Sequence, residues 1–197
     1  MMGDLISFDE AKKKLGKHKN GGGGEKQKLD DGAIINAFRR FEEEGIGNIR
    51  NEVLGNKLKI EKDMSKIRHF IFSFLAAKLG GIKENFLCYT YVSRLFTDQQ
   101  IEFKRVIDIL KEQNYFTCAR LIGDTCLVLV SFFRKRIEAS PPMTVDDYME
   151  IGQSYYLLHS KISKNPELFF KLASNFEQLA HATFEAFEVL RQGQCSK

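Results

Sequence analysis

The stretch from Phe116 to Ile137 constrains this chain most: between Cys126 and Phe133 it is almost wholly apolar, and Arg134-Lys135-Arg136 closes it. A helix without a polar face has to be enclosed by other helices or by lipid. Lipid is excluded on length, because Asp124 lies just upstream and a span needs about 18 uncharged apolar residues. The expectation is a helix at the centre of a bundle, in a chain without a transmembrane segment.

The segments around it follow the same 3.6-residue period, and no two-residue alternation persists between turn signals. Ile34, Ile35, Phe38 and Phe41 form one stripe, ended by Glu44-Gly45. A longer stripe, Ile60, Met64, Ile67, Ile71, Phe74 and Lys78, stops at Gly80-Gly81, the residues best able to take a left-handed cap. The aromatic run from Lys83 to Phe96 reads as helix, with Thr97-Asp98 capping the next segment through Phe103, Val106, Ile107 and Leu110. After Ser140-Pro141-Pro142, Thr144-x-x-Asp147 opens a helix bearing Tyr148, Ile151, Tyr155, Leu158 and Ile162. Asn165 as N-cap and Pro166 in the first turn start a last helix, running in one piece from Phe169 through Leu190. The fold expected is an all-α bundle of six or seven helices in antiparallel hairpins, occupying residues 32–197 as a single domain.

Residues 1–31 differ in kind. Lys12, Lys13, Lys14, Lys17, Lys19, Lys26 and Lys28 surround Gly21-Gly22-Gly23-Gly24, and Ser7-x-x-Glu10 has the capping-box spacing of a short helix. This reads as a flexible basic tail. The whole chain carries a net charge of +4, far less than a protein that wraps nucleic acid requires. Cys88, Cys118, Cys126 and Cys195 contain no Cys-x-x-Cys pair. They read as buried thiols without disulfides, in a reducing, cytoplasmic setting.

Catalytic signatures are missing. The glycine tract lacks the strand, Lys and Ser or Thr of a phosphate loop. None of His69, His159 and His181 has a Glu three residues before it, so the helical di-iron pattern is absent. No Cys and His spacing offers four metal ligands, and no serine has a nucleophile-elbow context. Accordingly no catalytic, cofactor or metal residue is assigned. Folding the last two helices about Ser163 to Asn165 brings His181 toward Tyr148, Glu150 and Glu177, and His159 toward Leu168 to Leu172. The first group would make a proton-transfer pair or half a metal site, against the plainer reading of polar side chains on a helix flank.

Tyr148-x-x-Ile151-Gly152-x-x-Tyr155 resembles the first-helix pattern of a tetratricopeptide repeat, in which the small residue lets two helices approach closely. Leu172-x-x-x-Phe176-x-x-Leu179 is similar to the second-helix pattern, and Ala119-x-x-Ile122-Gly123-x-x-Cys126 echoes the first. Tyr155 and Leu172 are farther apart than the repeat allows, and no copy recurs at 34 residues. The resemblance implies a helical-hairpin scaffold that holds protein segments in a groove, and it carries over no catalytic residue.

Seventeen Phe and six Tyr exceed what one bundle core must bury, which points to aromatic docking surfaces. Tyr89, Tyr91, Tyr155, Tyr156, Phe169 and Phe170 are the candidate anchors, one of each neighbouring pair being expected to face outward. The leading expectation is a cytoplasmic interaction or adaptor protein without catalytic activity, with a protein partner or a second copy of itself. A nucleic-acid-associated protein is the alternative, using Lys12, Lys13, Lys14, Lys17 and Lys19 of the tail with Arg134, Lys135 and Arg136. A bundle that binds a small ligand near Tyr148 and His181 is a third reading.

Overall fold

The computed structural model describes residues 31–45, 64–98, 103–111, 115–139 and 143–192, and every regular element among them is helical. In chain order these are α1 Asp31–Glu43, α2 Met64–Leu79, α3 Ile82–Asp98, α4 Phe103–Lys111, α5 Tyr115–Phe132, α6 Arg134–Glu138, α7 Val145–Ser160, α8 Pro166–Ser174 and α9 Phe176–Arg191. The all-α expectation holds. The basic tail and its Ser7 capping box lie outside the described residues.

α5 is the central helix, as its lack of a polar face requires. Every residue from Ile122 to Phe133 is buried. α7 packs along it most extensively, α9 covers another side, and α3 and α4 complete the enclosure. α2 pairs with α3 across the Gly80-Gly81 turn, where both glycines have positive φ (67° and 57°), the region that disfavours any residue with a Cβ.

Local start signals behave as read. The Thr144 hydroxyl accepts from the Asp147 amide at 3.2 Å, and the Asp147 carboxylate accepts from the Thr144 amide at 2.8 Å, a complete capping box for α7. Asn165 Oδ1 accepts from the Leu168 amide at the start of α8, with Pro166 in its first turn. Two expected helices are divided, giving nine among the described residues rather than six or seven. The central helix bends at Phe133 (φ −112°, ψ 18°), and the last helix bends at Asn175 (φ −107°, ψ 14°). At each bend the junction residue serves both segments: the Phe133 amide donates to the Leu129 carbonyl and its carbonyl accepts from Ile137, and Asn175 does the same between Lys171 and Leu179. Thr97-Asp98 also differs from expectation. Both belong to the last turn of α3, where Thr97 Oγ1 donates back to the Ser93 carbonyl at 3.2 Å and accepts from Arg68 Nε.

Two glycines set how closely α7 lies on its neighbours. A Cβ at Gly123 would stand 2.5 Å from Tyr156 Cδ1, and one at Gly152 would overlap Phe176 Cζ and reach 3.0 Å from Cys126 Cβ. The motif on α7 and its echo on α5 therefore meet face to face. Tyr148, Ile151, Gly152 and Tyr155 are all buried in this packing.

Candidate functional site

A lone aspartate in an apolar helix must find compensation when buried, because an isolated charge in a low-dielectric interior costs several kcal/mol. Asp124 on α5 is 3% exposed. Its Oδ1 accepts the hydroxyl protons of Tyr91 from α3 at 2.7 Å and Tyr156 from α7 at 2.8 Å. Its Oδ2 faces Arg120 Nε, one turn earlier, at 3.6 Å and takes no hydrogen bond among the described residues. Burial raises its pKa from the ordinary 3.8 to about 6, against the lowering effect of the two tyrosine bonds and Arg120. Burial, with Asp124 adjacent, raises both tyrosine hydroxyls above their ordinary value, so they keep their protons.

Phe169 of α8 closes the cluster. Its ring lies 5.6 Å from Tyr91, 6.0 Å from Tyr156 and 4.3 Å edge-on from His159. Burial, then the charge of Arg120, lowers the pKa of His159 and favours its neutral form. The geometry clasps three helices, α3, α5 and α7, through one carboxylate. That carboxylate is sealed beneath the two rings and does not meet solvent.

The six expected aromatic anchors divide unequally. Tyr89 is buried and donates to the Gly80 carbonyl at 2.6 Å. Tyr91 is partly buried and committed to Asp124, while Tyr155, Tyr156 and Phe169 are buried. The expectation that one of each pair faces outward fails at Tyr155 and Tyr156, because α7 is enclosed on more than one side by α5, α8 and α9. It holds at Phe169 and Phe170, where Phe170 is 56% exposed.

The basic cluster is engaged within the fold. Arg134 meets Glu138 at 3.2 Å and His181 Nδ1 at 2.8 Å, Lys135 meets Glu188 at 2.8 Å, and Arg136 meets Glu44 at 2.6 Å. The cation at the C-terminal end of α5 is Arg191, whose Nη2 donates to the Phe132 carbonyl at 2.7 Å while its guanidinium lies 4.8 Å from that residue's ring centroid. Lys12, Lys13, Lys14, Lys17 and Lys19 fall outside the described residues. His181 turns to Arg134, whereas Tyr148 packs against Phe38 and Phe41 of α1; the expected meeting of His181 with Tyr148 does not form. His159 does face α8 as expected. No group of three His, Cys, Asp or Glu converges among the described residues, and no described helix is long and apolar enough to cross a membrane.

The exposed apolar surface sits elsewhere. Ile82, Phe86 and Leu87, in the first turns of α3, are 52%, 51% and 56% exposed. Phe86 leans on Phe72 of α2 at 5.5 Å, while Leu87 flanks the side toward α8, where Lys171 Nζ reaches the Glu84 carbonyl at 2.8 Å. Sequence reasoning passed over these three and over Asp124. A signal was present for each: the one carboxylate within an apolar helix, and apolar neighbours Phe86-Leu87 on a helix whose core stripe is already filled by Cys88, Val92 and Phe96. No family model, curated protein or solved structure matches the chain.

Proposed function

We propose that this chain is a cytoplasmic protein-interaction protein without catalytic activity, and that its docking surface is the outward face of the first turns of α3. The observation that carries the reading is the half-exposure of Ile82, Phe86 and Leu87 beside one another, in a fold that buries most of the other large apolar side chains described. A helix-bearing partner would remove that apolar surface from water at about 25 cal/mol per Å². Burial of Cys88, Cys118 and Cys126 as free thiols suits a reducing compartment. The ion pairs of Arg134, Lys135 and Arg136 favour a protein over a nucleic acid as the partner, since each cation already has a carboxylate nearby.

A photo-crosslinking residue placed at position 86 or 87 of the full chain tests this reading in a native lysate, with the exposed position 42 of α1 as control. Discrete protein adducts from 86 and 87, resistant to nuclease and absent from 42, are expected. Adducts that vanish on nuclease treatment, or equal labelling from all three positions, would overturn it.

A further inference from the structure

His181 of α9 has a partner that fixes where its proton can sit. Arg134 Nη1 of α6 lies 2.8 Å from His181 Nδ1 in a part-buried contact, and a guanidinium offers donors only. The Nδ1 lone pair therefore accepts, so the ring is neutral with its proton on Nε2. A second proton, placed on Nδ1, would set donor against donor and cation against cation. Histidine is the side chain whose charge ordinarily changes between pH 5 and 8. We propose that the Arg134–His181 contact is an acid-sensitive latch between α6 and α9, closed while His181 is neutral and opened when the ring gains a proton.

Both sides of the latch have somewhere else to go. Glu177 and Glu185 lie one turn to either side of His181 on α9, and Glu185 also holds Lys78 of α2 at 2.8 Å. Glu138 of α6 meets Arg134 Nε at 3.2 Å, so the guanidinium keeps a counter-charge when the ring leaves it. Of the other helices packed on α9, α7 carries Glu150 in its second turn, α5 has no charge between Thr125 and Phe133, and Lys171 of α8 is bonded to Glu167 and to α3. The ring thus has two sets of partners: Arg134 when neutral, a carboxylate of its own helix when charged. What the latch holds is α6, a helix of five residues whose Arg136 reaches Glu44 of α1 at 2.6 Å. Ile137 is buried and Lys135 meets Glu188 at 2.8 Å, so opening loosens α6 without detaching it.

Heteronuclear NMR of the imidazole nitrogens in the full chain reads the latch directly, with His181→Gln used to assign its signals. At pH 8 an unprotonated Nδ1 and a protonated Nε2 are expected; a proton on Nδ1 at that pH would overturn the proposal. A double-mutant cycle reads its strength, from unfolding constants of the wild type, Arg134→Met, His181→Phe and the double variant in urea at pH 8 and pH 5. Coupling of about tenfold is expected at pH 8, the low end for a hydrogen bond to a charged group, and none, or repulsion, at pH 5. Equal coupling at the two pH values, or none at either, would overturn the latch. The His181→Gln side-chain oxygen accepts from Arg134 at either pH, so a cycle built on glutamine should hold its coupling at pH 5. A loss there too would place the pH dependence outside His181 and overturn the assignment.

Discussion

Tyr156 donates its hydroxyl proton to Asp124 Oδ1 at 2.8 Å, tying α7 to α5 across a site that solvent does not reach. Because burial raises Asp124 from the ordinary 3.8 to about 6, the folded chain binds a proton there more tightly than the unfolded chain. Stability from this group is therefore fully present below about pH 4, falls as pH rises through the interval to about 6, and is level above it. The displacement corresponds to about 3 kcal/mol. Asp124→Asn removes the titration. Unfolding free energies of the wild type and the variant from urea titrations, taken from pH 4 to 8, should diverge by about that amount between the two ends of the interval, while the titrations they share cancel. Parallel curves would show that Asp124 ionises as freely in the folded chain as in the unfolded one.

Tyr156→Phe and Tyr91→Phe each withdraw one hydrogen bond from a buried carboxylate, a loss of about 1.5–3 kcal/mol. Tyr156 is fully enclosed and Tyr91 only partly, so the first substitution should cost more. Both hydroxyls share Oδ1, and the remaining bond can shorten once the other is gone; the double variant should lose more than the two singles together. Each bond also lowers the Asp124 pKa, so either variant should shift the pH interval above upward. Urea titration of the three variants at pH 5 and 8 checks both points.

Gly152→Ala should destabilise the fold even though alanine is the better helix former by about 1 kcal/mol. The new methyl would overlap Phe176 Cζ, and Phe176 is fully buried, so its ring has nowhere to retreat. An overpacking cost of about 1–3 kcal/mol or more is expected after the propensity gain. Phe176→Leu in the same chain vacates the space the methyl needs, and the double variant should be more stable than Phe176→Leu alone. Thermal melts of the four chains measure the coupling; simple additivity would mean that the close approach of α7 and α9 is not what demands glycine.

What was legible in the sequence was local. The Thr144 capping box, the Asn165 cap and the Gly80-Gly81 stop each depend on residues within one turn of one another, so their chemistry is written in adjacent letters. The central place of α5 was legible because an unbroken apolar surface admits few settings. The bends at Phe133 and Asn175 were not, since neither residue breaks a helix by itself. Arg191 was hidden for a different reason: it reaches the end of α5 from 59 positions away, and Arg134 stood closer in the sequence. Tyr155 and Tyr156 misled because a two-sided helix buries neighbouring residues that a one-sided helix would divide between core and water. Which α3 side chains stay uncovered depends on how α2 and α8 lie against it, and no periodicity in α3 records that.

Cysteine reactivity provides a test of the core that requires no substitution. Burial raises the thiols of Cys88 and Cys118 to about 11 and that of Cys126 higher still, so at pH 8 very little of each is the reactive thiolate. All three are also shielded from reagent by the surrounding helices. Brief treatment of the native chain with iodoacetamide at pH 8 should add no more than one carbamidomethyl group by intact mass, and that one at Cys195. In denaturant all four cysteines should react. Two or more modifications of the native chain would mean that α3 or α5 opens on the timescale of the labelling, and the identity of the labelled thiol would say which. Labelling at Cys88 alone would point to α3, the helix held by Tyr91, as the element that moves.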